Sequence, residues 1–289
     1  MQVPAAPAAP LTVVTGDAVP EGLRLRLVEA INADRGAAGV KPVSYSSELS
    51  RAGDAHCAEM LREGYMSHWN LAGWKPYVRY SQAGIRDSTS ENLWSIRQPN
   101  FGSSAEEVWA GIHEGHRRFM AEQPPNDGHR KSILDPRHQT VGIGIAHGPA
   151  GLRMMELFAA RAAELESLPA RARLRDDLAV RGIVRGAGLS LFAIVIYYEP
   201  LPIPPSKLAL QTSGAYGLPS EEWVERPLLG DTLYSDGTQG TVLVSANGRF
   251  VAPLRFWKNK PGIYTVTVWV REGRGKAFIG AMTSILVEE

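Results

Sequence analysis

The chain has 289 residues, 44% hydrophobic and 21% charged, a balance that excludes a disordered or fibrous protein and allows one large or two ordinary domains. A formal charge of +1 at neutral pH gives no electrostatic case for nucleic acid or for an anionic membrane surface. The lone Cys57 excludes an internal disulfide and a cysteine-rich metal site, and no run reaches the roughly 18 apolar residues of a membrane-spanning helix.

In chain order, the start MQVPAAPAAP lacks the basic and apolar regions of a signal peptide. Residues 1–19 are therefore read as a Pro/Ala-rich extended tail, of the kind left when a leader has been removed. Leu23, Leu27 and Ile31 then repeat at i, i+4 and i+8, which predicts an amphipathic helix fading near Gly36. A second helix is expected after Ser46-Ser47-Glu48, with Leu49, Gly53, His56 and Met60 on one face and Cys57 beside them. Glu106, Glu107 and Trp109 open a third, which continues through Ile112 to Phe119.

The next segment, NDGHRKSILDP at residues 126–136, is odd as a helix: Gly128 costs backbone entropy and Asp135-Pro136 stops it almost at once. Asp127 is the expected N-cap, which places His129 in the first turn, where the positive helix end disfavours an imidazolium. VGIGIA at 141–146 alternates Val/Ile with Gly/Ala, so one face of this strand is bulky and the other admits a close helix. LRMMELFAA at 152–160 returns after a turn as a mostly apolar strand, covered on both faces.

Residues 163–175 are read as a connector between domains. Beyond them histidine is absent, and strand-length runs (LAVRGIVRG, LSLFAIVIYYEP, KLALQTSG, GTVLVSANGRF, GIYTVTVWVREG, KAFIGAMTSILVE) alternate with turn chemistry such as Ala-Asn-Gly. That spacing predicts a β-sandwich of immunoglobulin type over residues 176–289.

Four elements of the first half stand in order: MSHWN at 66–70, SENLW at 90–94, AEEVW at 105–109 and GHRKSILDPRHQTVGIGIA at 128–146. In this order and spacing they resemble the CAP superfamily (cysteine-rich secretory, antigen 5 and pathogenesis-related-1 proteins, or SCP domains), most nearly its cysteine-free bacterial branch. The resemblance implies a CAP domain over residues 20–162 with the family's three-layer α-β-α sandwich, an α+β fold that agrees with the helix and strand pattern. It also implies an open cleft lined by two histidines and two glutamates, which in some members hold a divalent metal, often zinc.

Carried over by motif, the cleft residues are His68 from the Ser-His pair, Glu91 from the Glu-Asn pair and His129 from the Gly-His-Arg motif. The second glutamate is where this chain departs. In plant and animal members it follows the helix tryptophan by about one turn, where this chain has Ile112, then His113 and Glu114. His113 and Glu114 compete for that role, and the bacterial branch often lacks the fourth group.

Imidazoles and carboxylates are sound zinc ligands, and three of them with a water would form an open site. His56 is expected to be a core histidine and Cys57 a small buried hydrophobe, while His116, His138 and His147 are expected at solvent or at rims. Trp69, Trp74, Trp94 and Trp109 are candidates to wall the cleft. The expected function is an extracytoplasmic binding or interaction module. Its cleft would take a small ligand, lipid, peptide or glycan, and its β-domain a cell surface or protein partner. The alternative is a zinc-dependent peptidase or esterase using His68, Glu91 and His129. The catalytic residues, and whether there is any catalysis, are left open by the sequence.

Overall fold

A computed structural model describes residues 14–15, 19–102, 104–212 and 214–289, and the rest of the expected N-terminal tail lies outside these. The chain divides into two units. The first takes its described residues from Met1–Met66, Glu91–Asp135 and Val141–Leu157, and the second comprises Ser67–Ser90, Pro136–Thr140 and Phe158–Glu289.

The elements of the first half are β1 (Val14–Thr15), α1 (Glu21–Ala37), β2 (Ser44–Tyr45), α2 (Ser47–Glu63), α3 (Pro76–Gln82), β3 (Ser88–Arg97), α4 (Ala105–Met120), α5 (Gly128–Leu134), β4 (Thr140–Gly148) and β5 (Gly151–Ala160). Local chemistry fixes the predicted helices. The Ser46 side chain accepts from the Leu49 amide at the start of α2, and Gly64 ends that helix in the left-handed region at φ 73°. Ser104 and Glu107 form a capping box on α4. Two residues expected in the tail, Val14 and Thr15, instead form β1, pairing with His147 and Ala146 of β4.

The sheet runs β1-β4-β5-β3, with β2 also on β4. Its layers follow from strand alternation. Val141, Ile143 and Ile145 are fully buried on one side of β4. On the other, a Cβ added to Gly144 would stand 2.7 Å from the Gly53 Cα, and one on Gly142 2.4 Å from the Leu49 Cβ. The glycines thus let α2 lie directly on the strand. Across the sheet, a Cβ on Gly115 of α4 would meet Trp94 at 2.5 Å and Met154 at 2.8 Å. Helices therefore cover both faces, the expected α-β-α arrangement. A buried pair bolts the layers together: Arg24 of α1 meets Asp54 of α2 at 3.0 Å, and Asp54 accepts from the Ile145 amide at 2.8 Å. Breaking such a pair costs about 3–5 kcal/mol, because the surviving charge stays buried.

The second unit adds β6 (Ala163–Leu165), β7 (Arg171–Arg173), β8 (Leu178–Val184), β9 (Leu189–Glu199), α6 (Lys207–Thr212), β10 (Glu221–Glu225), β11 (Leu243–Val244), β12 (Arg249–Leu254), β13 (Gly262–Glu272) and β14 (Phe278–Glu288). One sheet runs β10-β9-β13-β14-β7 and the other β11-β12-β8-β6. Residues of both, among them Val180, Ile194, Phe250, Val266 and Ile285, share one apolar core. The C-terminal half is thus a β domain of two packed sheets.

The stretch read as a connector supplies β6 and β7, which pair with β8 and β14, so it is sheet rather than linker. KLALQT, read as a strand, forms α6; its Leu and Ala suit a helix as well as a strand, and a run this short cannot decide the period. The sequence reading also passed over α3, which packs against β14. Tyr77 and Val78 join Met282 and Leu286 in an apolar cluster, and the Ser284 amide donates to Ser81 Oγ at 2.8 Å. Among the described residues no helix is long and apolar enough to cross a membrane.

Candidate functional site

The site is best built outward from α5, seven residues whose two ends are both held by side chains from elsewhere. At its start, Glu122 Oε2 accepts from the backbone amides of His129 (2.9 Å) and Arg130 (3.4 Å). The expected cap, Asp127, makes no capping hydrogen bond. Its backbone, at φ −120° and ψ 33°, is not the extended geometry that aims a cap side chain at the first turn, and its carboxylate pairs with Lys131 at 2.7 Å. At the other end, fully buried Arg35 of α1 donates to the carbonyls of Ile133 (2.5 Å) and Asp135 (3.1 Å) as well as Lys41 (2.8 Å). Burial pulls the Arg35 guanidinium below its ordinary value, partly offset by the charge of Asp135.

His129 itself is fixed on three sides. Glu122 Oε1 lies 2.5 Å from its Nδ1, and its ring stacks on Phe119 at 4.5 Å between centroids. Its carbonyl accepts from Asn92 of β3 at 3.2 Å. Even so, 37% of the His129 side chain is exposed.

Behind this mount runs a buried polar chain. Asn92 also donates to Glu156 Oε2 (3.1 Å), Glu156 Oε1 meets His116 Nδ1 (2.7 Å), and His116 Nε2 meets Asp34 (3.0 Å). His116 and Glu156 are essentially inaccessible, with Asp34 half-exposed at the end of the chain. Burial alone would pull the His116 imidazole down, but the Glu156 hydrogen bond and charge, joined by Asp34, hold it above its usual value.

His116 is thus not at a rim, as expected, because Gly115 brings this part of α4 hard against the sheet. His138 and His147 are buried too. His138 stacks on Phe158 at 5.3 Å, and burial pushes the His147 imidazole down. Buried His56 and Cys57 match their expected core roles.

The two candidates for the fourth cleft position are each engaged on the α4 surface. His113 stacks on Trp109 at 4.9 Å, whose ring also carries the Arg26 guanidinium at 3.9 Å from its centroid. Glu114 is held by Arg117 (2.6 Å) and Arg118 (2.7 Å), and those hydrogen bonds keep its carboxyl below the usual range.

Glu91 is buried in β3, where alternation turns its side chain to the face opposite Asn92. His68 belongs to the second unit, half-buried with its ring 5.0 Å from Tyr216 and its carbonyl accepting from Arg79 at 3.1 Å. Trp69 lies 6.5 Å from the same tyrosine, and Trp74 packs in the α3–β14 cluster. Trp94 meets Phe119 edge to face at 6.5 Å, so these tryptophans are accounted for by packing.

The donor types suit a divalent ion. Among the described residues, however, no three His, Cys, Asp or Glu side chains are placed to hold one. His116, between its two carboxylates, has both nitrogens already bonded.

Sequence reasoning missed Glu122, Asn92, Asp34 and Glu156. One signal was present: Glu156 is the lone acid in the apolar strand LRMMELFAA, and a carboxylate in a covered strand requires a buried partner. Nothing local marks Glu122, which stands across the Pro124-Pro125 turn from His129.

The family model described as CAP, the cysteine-rich secretory protein family, matches residues 28–159. Over this segment the chain is similar to CAP/SCP proteins, among them bacterial ones. A curated relative, the uncharacterized protein YkwD of Bacillus subtilis, is 27% identical over 120 residues, covering 41% of this chain and 40% of its own length.

Among solved structures, an extracellular SCP-domain protein of Bacillus anthracis aligns at 14% identity and a TM-score of 0.40, over 54% of this chain and 45% of that one. An outer surface protein of Borrelia burgdorferi aligns at 15% identity and a TM-score of 0.37, over 47% and 91% respectively. This chain therefore spans less than half the length of the two Bacillus proteins it matches.

Proposed function

We propose that the chain is an extracytoplasmic binding or interaction protein. Its CAP domain presents His129 to a small ligand, lipid or peptide, and its β domain serves a surface or partner. The observation that carries this reading is the mount of His129. The ring is gripped at Nδ1 by Glu122 and backed by Phe119, yet it keeps more than a third of its side chain exposed. A carboxylate on Nδ1 fixes the orientation of the ring. A rigid polar group beside an aromatic wall is how small-ligand sites set orientation. Placement outside the cytoplasm follows the family, which is described as secretory. The zinc-hydrolase reading instead requires His68, Glu91 and His129 around one ion.

The test is differential binding. Wild type and His129→Ala are titrated calorimetrically with tri-alanine and with phosphatidylglycerol vesicles, alongside p-nitrophenyl acetate turnover with and without zinc. Binding of either probe that weakens at least tenfold in His129→Ala is the expected result. Equal behaviour of the two proteins towards both probes, or zinc-dependent turnover that disappears in the variant, would overturn the reading.

A further inference from the structure

The β domain holds a second candidate site, which no family motif touches. Among the described residues β10 is an edge strand, paired only with β9, and it lines one cavity with the chain leaving β12. Trp223 and Glu225 from the first, Arg226 just after it, Arg255 and Phe256 from the second, and Gln239 from the intervening loop line this cavity of about 420 Å³. That size falls within the ordinary range for small-molecule sites.

The walls have two kinds of chemistry. Trp223 and Phe256 are half-buried and pack against the domain core, with the Phe256 ring 5.0 Å from Tyr264. Glu225 is 5% exposed. Its Oε2 accepts from the Thr241 hydroxyl, while Oε1 stands 3.8 Å from Arg255 Nε, beyond hydrogen-bond reach. A buried carboxylate oxygen at the cavity wall thus retains acceptor capacity.

The charges cancel. Arg226 is committed to Asp236 at 2.7 Å and to Thr238 at 2.5 Å, and Arg255 faces Glu225. An anion entering would meet the Glu225 carboxylate, and a cation would meet Arg255. A neutral polyol suffers neither repulsion. Its C–H faces can lie on the aromatic rings, and its hydroxyls can bond Glu225, Arg255 and Gln239.

We infer that this cavity binds a neutral saccharide, through aromatic contact with Trp223 and Phe256 and hydroxyl contact with Glu225. The inference is independent of the role of His129.

The full chain is titrated with chitotetraose, cellotetraose and maltotetraose by calorimetry, with inorganic phosphate as competitor and circular dichroism to confirm folding. At least one tetrasaccharide should bind saturably, at least tenfold more weakly in Trp223→Ala. Gln239→Ala, which removes an exposed side chain and its bond to the Gly230 carbonyl (3.3 Å), should weaken it severalfold, and His129→Ala should leave it unchanged. Failure of all three sugars to bind, equal binding by wild type, Trp223→Ala and Gln239→Ala, or competitive displacement by phosphate would each overturn the assignment.

Discussion

Glu122 grips His129 at two atoms, with one carboxylate oxygen on the ring Nδ1 and the other on the backbone amide. A single side chain thereby both starts the helix and aims the imidazole it carries. Glu122→Ala removes both bonds and is expected to cost about 1–2 kcal/mol, the upper range for a lost helix cap. Faster exchange of the His129 and Arg130 amides should accompany the loss. Glu122→Gln, which keeps one acceptor oxygen, should retain part of the protection. Urea unfolding and hydrogen exchange read both effects.

The opposite end of α5 depends on Arg35, which donates to three carbonyls, that of Ile133 in a fully buried bond. An unsatisfied buried acceptor costs about 1–3 kcal/mol, so Arg35→Met is expected to lose about 1–3 kcal/mol in denaturant unfolding through the Ile133 carbonyl. Arg35→Lys should recover little, because an ammonium lacks the planar fork that reaches carbonyls from two elements.

The pH dependence of His116 has a definite sign. Its folded pKa is raised, so its contribution is complete below the unfolded value of 6.5 and is lost as pH rises through the folded value. His147 works the other way: its folded pKa is depressed by burial, and its contribution is present above 6.5 and lost as pH falls. Comparing wild type with His116→Gln removes the His147 effect. The difference in unfolding free energy should be about 3 kcal/mol near pH 5.5, as for a broken buried pair, and smaller near pH 9. A difference that grows with pH would contradict the assignment.

The contact between α2 and β4 leaves no room for a methyl group. A Cβ on Gly144 would lie 2.5–2.8 Å from Gly53 backbone atoms, which cannot swing aside as a side chain would. Gly144→Ala should therefore lower stability by about 1–3 kcal/mol, the cost of overpacking a filled core. A thermal melt showing no shift would mean that α2 can lift from the sheet.

The sequence by itself determined what lies within one element. A period of about four residues marked α1 and α2, the Glu106–Trp109 opening marked α4, the alternation of VGIGIA marked β4 and a mostly apolar run marked β5; Ser46 marked the start of α2, and the glycines of VGIGIA marked the face that receives a helix. The ordered motifs pointed to the family whose model matches residues 28–159. These features were legible because a helix face, a cap and a pleat each depend on residues a few positions apart.

The tertiary structure decided who meets whom. Arg35 and Ile133 are 98 residues apart, His116 and Asp34 82, and His116 and Glu156 40. No local spacing encodes such pairs, so His116 read as a rim residue and Asp127 as the cap. Residues 67–90, which carry His68, likewise group with the β domain through apolar packing that only the folded chain displays. A buried polar group must find a partner wherever the fold places one, and that requirement turned NDGHRKSILDP from a weak helix into a rigid support for His129.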